Sequence, residues 1–229
     1  MSAISLIQQG HNVVLHARND ARRYDAMREV PGADAVVTGD LSNIEETKKL
    51  AHAVNELGMF DAVIHNAGVY QASAKNIFTV NTLSAYILTC LLQKPKRLVY
   101  LSSGMHLQGR HKLESFKTDI NRITYSDSKL HVLMLCMAVA RKWPGVYSNT
   151  VDPGWVPTRM GGRRAPDDLQ KGYETQVWLA VSNDEKAKVS GRYFFHRKET
   201  SHNPDADDIR LQEKFLDLCR EITGLSFPQ

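Results

Sequence analysis

Short apolar strands alternate with longer helices along nearly the whole chain. Predicted strands cover residues 11–18, 35–38, 61–65, 97–102, 147–151 and 192–196, and predicted helices cover residues 2–9, 20–29, 44–57, 77–92, 125–142, 169–181 and 209–222. One strand is apolar at consecutive positions, from Leu98 to Leu101. Strands of this kind, separated by helices, form a parallel sheet covered by helices on both faces. The pattern therefore predicts an α/β fold with a doubly wound parallel sheet.

The length and composition indicate a single globular unit. The chain has 229 residues, about one and a half times a typical domain, so we expect one domain over residues 1–229. The apolar content of 42% excludes a disordered chain. The longest uncharged apolar run, Val132 to Ala140, is much shorter than the ~20 residues that cross a bilayer. Residues 1–10 lack the basic start and apolar run of a signal peptide, so no membrane segment is expected.

Charge and cysteine content exclude several other classes of protein. The formal net charge of +4 comes from scattered lysines and arginines, which gives no indication of a nucleic-acid partner. The cysteines, Cys90, Cys136 and Cys219, are odd in number and widely spaced. They predict neither a disulfide framework nor a zinc site, and a reducing, cytoplasmic location is the corresponding expectation.

Small, polar or turn-forming residues follow five of the predicted strands. Parallel sheets bind ligands beyond the carboxyl ends of their strands, so these residues are expected to meet at one edge. A single set of this kind is better explained as an ordinary turn at a strand end, whereas five sets together predict the floor of a nucleotide site. The sets are Arg18-Asn19, Asp40-Leu41, Asn66-Ala67-Gly68, Ser102-Ser103 and Asp152-Pro153-Gly154.

Tyr125 and Lys129 form the strongest candidate for chemistry. Their spacing of four residues places them on one face of a helix, about one turn apart. A lysine ammonium near a phenol favours the phenolate and lowers the tyrosine pKa from about 10. Such a tyrosine can exchange a proton with an alcohol or carbonyl oxygen. The preceding strand ends in Ser102-Ser103, whose hydroxyls could donate to the same oxygen.

Taken together, these motifs resemble the short-chain dehydrogenase/reductase family from the first residues to about Phe195. The matching motifs, in order, are Asn66-Ala67-Gly68, Asn81, Leu101-Ser102-Ser103-Gly104, Tyr125 with Lys129, and Pro153-Gly154 with Thr158. The resemblance implies a Rossmann-like fold and an enzyme that interconverts an alcohol and a carbonyl group on a small-molecule substrate.

The same resemblance implies roles for the catalytic residues. Tyr125 would be the general acid/base, and Lys129 would lower its pKa and hold the nicotinamide ribose. Ser103 would polarise the substrate oxygen, because family members use the second serine of such a pair rather than Ser102. Asn81 would hold a water that links Lys129 to solvent.

The resemblance also implies a cofactor site. Arg18 follows the strand after which NAD-using members carry an acidic residue, so an arginine there favours NADP, with NAD as the alternative and a solvated surface arginine as the simpler explanation. Asn19 would assist Arg18. The remaining candidates are Asp40 and Leu41 at the adenine, Asn66, Ala67 and Gly68 at the adenine ribose, and Pro153, Gly154 and Thr158 at the nicotinamide amide.

The chain departs from the family pattern at its front. Members begin with a strand and a glycine-rich turn that holds the pyrophosphate, whereas this sequence begins in the helix that follows that turn. The missing strand would lie between the strands at residues 11–17 and 61–65, whose edges are then expected to be unpaired. Two explanations stay open. Either the true start lies upstream of Met1, or the chain folds with a rearranged sheet and binds cofactor poorly.

The substrate side gives weaker signals. The 21 residues between Ser103 and Tyr125 resemble the insert of retinol-dehydrogenase-like members, and the histidines in it, His106 and His111, are expected on a surface loop rather than at a metal. Residues 155–172 are expected to form a lid over the pocket. Trp155, Met160 and Met105 suggest an apolar substrate, although they could equally be packing residues, and Arg163-Arg164 would suit an acidic group or simply solvent.

Two functions and two assembly states are compatible with these residues. The first function is an NADP(H)-dependent oxidoreductase, and the alternative is a non-catalytic relative that acts by associating with other proteins. Family members associate through the helix after Asn81 and the helix that carries Tyr125. The second helix has apolar residues that could serve the core or a homo-oligomer, namely Leu130, Leu133, Met134 and Met137.

Overall fold

The computed structural model describes all 229 residues. The helices are α1 (Ser2–Gln8), α2 (Asp20–Glu29), α3 (Ile44–Glu56), α4 (Ala74–Ile77), α5 (Ser84–Leu91), α6 (Ser115–Thr118), α7 (Tyr125–Lys142), α8 (Lys171–Val181) and α9 (Ile209–Thr223). The strands are β1 (Val14–Ala17), β2 (Ala35–Thr38), β3 (Ala62–His65), β4 (Arg97–Leu101), β5 (Tyr147–Asp152), β6 (Arg192–Phe195) and β7 (Lys198–Glu199). The predicted α/β alternation is confirmed. No helix is both long and apolar enough to cross a membrane.

The strands form two separate sheets. The larger sheet has the order β3-β4-β5-β6-β7, with β3 to β6 parallel and β7 antiparallel to β6. The smaller sheet is the parallel pair β1-β2. β1 and β3 do not pair with each other, as expected from the sequence, and their neighbouring strands have not rearranged to close the sheet. β3 is therefore an edge strand, and all four of its residues are only partly buried.

Helices cover both faces of β4, which explains its consecutive apolar residues. Leu98 and Tyr100 pack in the larger core cluster with α7, whereas Val99 and Leu101 pack in a second cluster with Trp178 of α8. Side chains alternate between the two faces of a strand. Because each face is covered, every position from Leu98 to Leu101 is apolar and buried.

Helix α7 lies at the centre of the larger cluster. Its apolar residues pack against β5 and α9, and Leu130, Leu133, Met134 and Met137 are at most 6% exposed. These four residues therefore belong to the core of this chain, which corrects the alternative that they offer a surface to a second copy.

Candidate active site

Tyr125 is the first residue of α7, and Lys129 lies one turn after it. The start of this helix is fixed by a capping box. The Thr124 hydroxyl accepts from the Asp127 N–H at 3.3 Å, and Asp127 accepts from the Thr124 N–H at 2.8 Å. This pattern satisfies backbone donors that would otherwise lack partners at the start of a helix. The Lys129 ammonium then lies 5.4 Å from the centroid of the Tyr125 ring. The predicted helical pairing of the two residues is confirmed.

The Lys129 side chain passes beneath β4. Lys129 is only 4% exposed, and its Nζ donates to the main-chain carbonyl of Leu101 at 2.8 Å. An ammonium has three donors, so two remain for other acceptors. Gly68 lies directly against this group, because a Cβ built on Gly68 would be 3.4 Å from Nζ. Gly68 therefore packs against the buried ammonium near the carboxyl end of β3, with no side chain between them.

The two serines after β4 have different partners. The Ser102 hydroxyl is buried and donates to the main-chain carbonyl of Lys129 at 3.0 Å. Ser103 is only partly buried, its hydroxyl accepts from the Met105 N–H at 3.3 Å, and it also contacts the Tyr125 phenol. Of the pair, Ser103 therefore has the hydroxyl that can reach a substrate beside Tyr125.

The pKa of Tyr125 differs from the sequence-based prediction. Burial raises the pKa of Tyr125 to about 12, and contact with Ser103 opposes that shift only in part. The prediction of a lowered pKa is therefore wrong for the protein in this state. Lys129 lies over the ring and directs one N–H to Leu101, so it has little effect at the hydroxyl. Burial also lowers the pKa of Lys129 itself to about 8, against the nearby charge of Asp152.

Asn81 lies in a π-helical segment, Phe78–Leu83, between α4 and α5. Its Oδ1 accepts from the Val69 N–H at 2.8 Å, and its Nδ2 donates to the Val69 carbonyl at 2.9 Å and to Ser128 Oγ at 3.0 Å. Such widened turns in helices are frequent at functional sites. The Asn81 side chain holds the segment after β3 against α7, and its amide oxygen and nitrogen both hydrogen-bond to these partners.

The residues predicted at the adenine end lie on the two-stranded sheet and contact each other. Arg18 binds Asp40 through both Nε and Nη2 at 2.9 Å. Asp40 also accepts from the Ser42 N–H and hydroxyl. Although burial, the largest influence, would raise the pKa of Asp40, hydrogen bonds from Ser42 and Arg18 hold it below its usual value. The Arg18 side chain is still 68% exposed, so its guanidinium is fixed at one end and open to ligands.

Asn19 and Leu41, predicted beside this pair, have structural roles. The Asn19 side chain caps α2 by accepting from the Arg22 N–H at 3.1 Å. Leu41 is 5% exposed and belongs to the core. At β3, Asn66 and Ala67 are exposed at the open edge of the five-stranded sheet.

The segment after β5 forms a tight turn at Gly154. Gly154 has a φ of +78°, and a Cβ there would lie 2.6 Å from an oxygen of Asp167. A side chain at this position would therefore be both strained and obstructed. Thr158 continues the turn, since its N–H donates to the Val156 carbonyl at 2.7 Å.

Residues 155–172, predicted as a lid, are folded back on themselves. The Trp155 N–H donates to Asp167 at 2.6 Å, and the Trp155 indole donates to the Gly161 carbonyl at 2.8 Å. The Trp155 side chain nevertheless stays 59% exposed.

Three residues near Ser103 and Tyr125 were not predicted as part of the site: His106, Tyr193 and Tyr70. His106 is fully buried, with Nδ1 2.6 Å from the Ser103 carbonyl oxygen, which corrects its prediction as a surface-loop residue. The His106 ring packs on Tyr193 with centroids 4.5 Å apart. The Tyr70 ring meets Tyr125 edge-on at 4.8 Å. The only sequence signal for Tyr70 and His106 was their position in the segments that follow β3 and β4.

Large apolar side chains are exposed after each of the four parallel strands of the larger sheet. Because the carboxyl ends of these strands share one edge, the residues surround the region above Ser103 and Tyr125. They are Tyr70 after β3, Met105 and Leu107 after β4, Trp155 and Met160 after β5, and Phe195 at the end of β6.

Known proteins resemble this chain over most of its length. The family model described as enoyl-(acyl carrier protein) reductase matches residues 1–189. An uncharacterized oxidoreductase of Emericella nidulans is 43% identical, covering 97% of this chain and 91% of that protein. The short-chain dehydrogenase chyC of Penicillium rubens is 36% identical, covering 99% of this chain and 93% of that protein.

Solved structures share the fold at low identity. An uncharacterized protein of Mycobacterium paratuberculosis superposes with a TM-score of 0.80 at 21% identity, covering 100% of this chain and 90% of that one. A short-chain dehydrogenase of Shigella flexneri 2a complexed with NADP has a TM-score of 0.66 at 20% identity, covering 86% of this chain and 91% of that one. These likenesses support the α/β fold.

Proposed function

This chain belongs to the short-chain dehydrogenase/reductase family, and from that premise we propose that it is an NADP(H)-dependent oxidoreductase. The proposed reaction interconverts an alcohol and a carbonyl group on a small apolar substrate. The observation that carries the proposal is the convergence of Ser103, Tyr125 and Lys129 at the carboxyl end of β4. The Lys129 ammonium is fixed by Leu101 and lies over the Tyr125 ring, while Ser103 contacts the phenol.

The three residues have complementary roles in this proposal. The Ser103 hydroxyl and the Tyr125 phenol both donate to the substrate carbonyl oxygen, which orients the carbonyl and stabilises charge as it develops there. Because burial raises the pKa of Tyr125 to about 12, the phenol holds its proton near neutral pH. Tyr125 therefore serves as a general acid in the direction of carbonyl reduction. Bound NADPH would supply the hydride.

The residues around Lys129 fit a nicotinamide cofactor. Two Lys129 donors remain for ribose hydroxyls, and Gly68 has no side chain to block them. Asn81 positions this segment, and the turn after β5, with Pro153, Gly154 and Thr158, would contact the nicotinamide amide.

The choice of NADP rests on Arg18. Its exposed guanidinium, fixed on one side by Asp40, suits the bidentate binding of a 2′-phosphate. A structural neighbour crystallised with NADP is consistent with this choice. NAD is the alternative cofactor, and the ratio of the two affinities decides between them.

The apolar residues around the site favour an apolar substrate. Trp155 and Met160 are exposed beside the active-site edge, on the segment 155–172 that we propose acts as a lid. We treat residues 1–229 as one functional domain, because the adenine-end residues and the catalytic residues would serve one cofactor.

The experiment that tests the proposal combines cofactor binding with turnover. We expect the purified 229-residue chain to enhance NADPH fluorescence and to consume NADPH with apolar ketones or aldehydes. Binding without turnover of any carbonyl compound, or no binding at millimolar NADPH, would support the non-catalytic alternative instead.

A further inference from the structure

A carboxylate that the proposed chemistry does not use lies at the centre of the site. Asp152 ends β5, and because Leu101 pairs with Val151, Asp152 is one residue beyond the last pair that β5 forms with β4, at the level where Ser102 follows β4. A Cβ built on Gly104 would be 3.0 Å from Asp152 Oδ2. The carboxylate is therefore close to the residue that follows Ser103, next to the place where the reacting carbonyl would bind.

The known partners of this carboxylate are both neutral. Asp152 Oδ1 accepts from the Gly154 N–H at 2.8 Å, and Oδ2 accepts from the Tyr193 hydroxyl at 3.2 Å. A carboxylate has about four lone-pair sites, so it keeps capacity for a further donor. Asp152 is also only partly buried, which leaves that capacity open to a ligand.

Four titratable groups are near enough to Asp152 to be influenced by its charge. They are the buried Lys129 ammonium and the Tyr125 phenol on α7, Tyr193 on β6, and His106 in the short helix Gly104–Gln108. None of them is a cation in direct hydrogen-bonding contact with the carboxylate. Its negative charge therefore acts on whatever binds beside it.

We propose that Asp152 is a specificity-determining residue that favours substrates with an N–H donor next to the reacting carbon over substrates with a carboxylate there. An N–H group would donate to the free lone pair of Asp152, whereas a carboxylate would be repelled and would leave Asp152 without a partner. This inference rests on the proposed function, since it names the substrate class of the same site.

The arginines of the lid do not reverse this preference. Arg163 and Arg164 are exposed, so solvent and salt screen their attraction for acids. The Asp152 carboxylate, in contrast, is held at the end of β5 by its hydrogen bonds with the Gly154 N–H and the Tyr193 hydroxyl.

The first test measures binding without any reaction. Trp155 is 59% exposed, whereas Trp143 and Trp178 are 3% and 8% exposed, so a ligand in the site should change mainly the Trp155 fluorescence. Benzamide and benzoate have nearly the same shape and differ in charge and in donor capacity. We expect the wild-type protein to bind benzamide about 10-fold more tightly than benzoate. We expect Asp152→Asn to reduce this preference to about 2-fold or less, because it removes the charge.

Two further variants make the binding test decisive. Asp152→Ser keeps an acceptor for the Gly154 N–H and should lose the preference in the same way, which covers the case in which Asp152→Asn folds poorly. Asp61→Asn is the matched control. Its side chain is 84% exposed at the start of β3, on the opposite edge of the sheet. Equal binding of benzamide and benzoate by the wild type, or an unchanged preference in both Asp152 variants, would overturn the inference.

The second test uses turnover and separates the two proposals. Phenylglyoxylamide and phenylglyoxylate carry an amide and a carboxylate beside the same ketone. We expect the ratio of their kcat/KM values to fall about 10-fold in Asp152→Asn and to stay at the wild-type value in the control Asp61→Asn. The neutral ketone acetophenone reports whether each protein turns over any ketone. Turnover of acetophenone with an unchanged ratio would contradict the role of Asp152. Absence of turnover for every ketone would contradict the proposed function and leave the binding result to decide the inference.

Discussion

The Nζ of Lys129 donates to the main-chain carbonyl of Leu101 at 2.8 Å, which ties the N-terminal part of α7 to the carboxyl end of β4. A buried ammonium costs free energy unless it is hydrogen-bonded. This bond supplies one acceptor and leaves the cation with a lowered pKa of about 8. The stability of the fold therefore depends on the protonation of Lys129, which is a residue of the proposed site.

The stability of the protein should depend on pH through Lys129. Between about pH 8 and pH 10 the unfolded chain keeps the Lys129 proton that the folded protein loses, so the free energy of unfolding rises with pH. We expect the difference between wild type and Lys129→Met to change by about 1–3 kcal/mol in favour of wild type over this range. Urea unfolding at about pH 7.5 and pH 9.5 measures it. Parallel pH dependences in the two proteins would mean that Lys129 titrates normally.

Removal of the Tyr125 hydroxyl should abolish proton transfer while leaving the fold in place. We expect Tyr125→Phe to lower kcat about 10²–10⁴-fold, because it removes the phenol that we propose as the general acid. NADPH affinity should stay within about 2-fold, since phenylalanine preserves the ring over which the Lys129 ammonium lies. Tyr147→Phe is the matched control, because Tyr147 begins β5 at the far edge of the sheet. Comparable kcat values in Tyr125→Phe and wild type would assign the acid to another residue.

Arg18 should decide the choice between the two nicotinamide cofactors. We expect Arg18→Ala to weaken NADPH binding about 10–100-fold, since a charge-assisted bidentate contact is lost. NADH binding should change by less than about 3-fold, because NADH has no 2′-phosphate. Fluorescence titration with both cofactors measures the ratio, and Arg23→Ala in the adjoining helix serves as the control. An equal loss for NADPH and NADH would show that Arg18 acts on the fold or on the shared part of the cofactor.

Asn81 should contribute to stability more than an exposed asparagine does. Asn81→Ala removes the three hydrogen bonds of a buried side chain and leaves Val69 and Ser128 without these partners. We expect a loss of about 2–4 kcal/mol in the free energy of unfolding. The exposed Asn76 in α4 provides the comparison, and Asn76→Ala should cost less than about 0.5 kcal/mol. Similar chemical denaturation curves for both variants would contradict the positioning role of Asn81.

Much of the fold could be predicted from the sequence because local signals were strong. The start of α7 at Tyr125 follows from Thr124 and Asp127, and the end of α1 follows from Gly10, whose φ is +83°. The strand β2 is apolar at its first three positions, Ala35 to Val37, and has the predicted bounds. Each of these signals depends on a few neighbouring residues, which the sequence displays directly.

Features that depend on tertiary contacts could not be predicted in the same way. The π-helical segment around Asn81 is accompanied by hydrogen bonds to Val69 and Ser128, which are distant in the sequence. His106 is buried by Tyr193, which follows it by more than eighty positions along the chain. The pKa of Tyr125 depends on burial and on the exact direction of Lys129, which spacing alone does not give. Each of these outcomes requires the three-dimensional surroundings of the residue.

The division into two sheets implies that backbone amides should exchange with solvent in two groups. β1 and β2 pair with each other and with no other strand, and with α3 they form a small unit. Asn55 of α3 connects this unit to the rest of the protein, because its side chain donates to the Leu91 carbonyl and accepts from the Gln93 N–H. The small unit can open locally, so deuterium should enter β1 and β2 well before it enters β4 and β5. A dinucleotide that reached from Arg18 to Lys129 would join the two groups into one cooperative unit. Cofactor binding should then slow deuterium uptake throughout β1, including at amides that the cofactor does not touch.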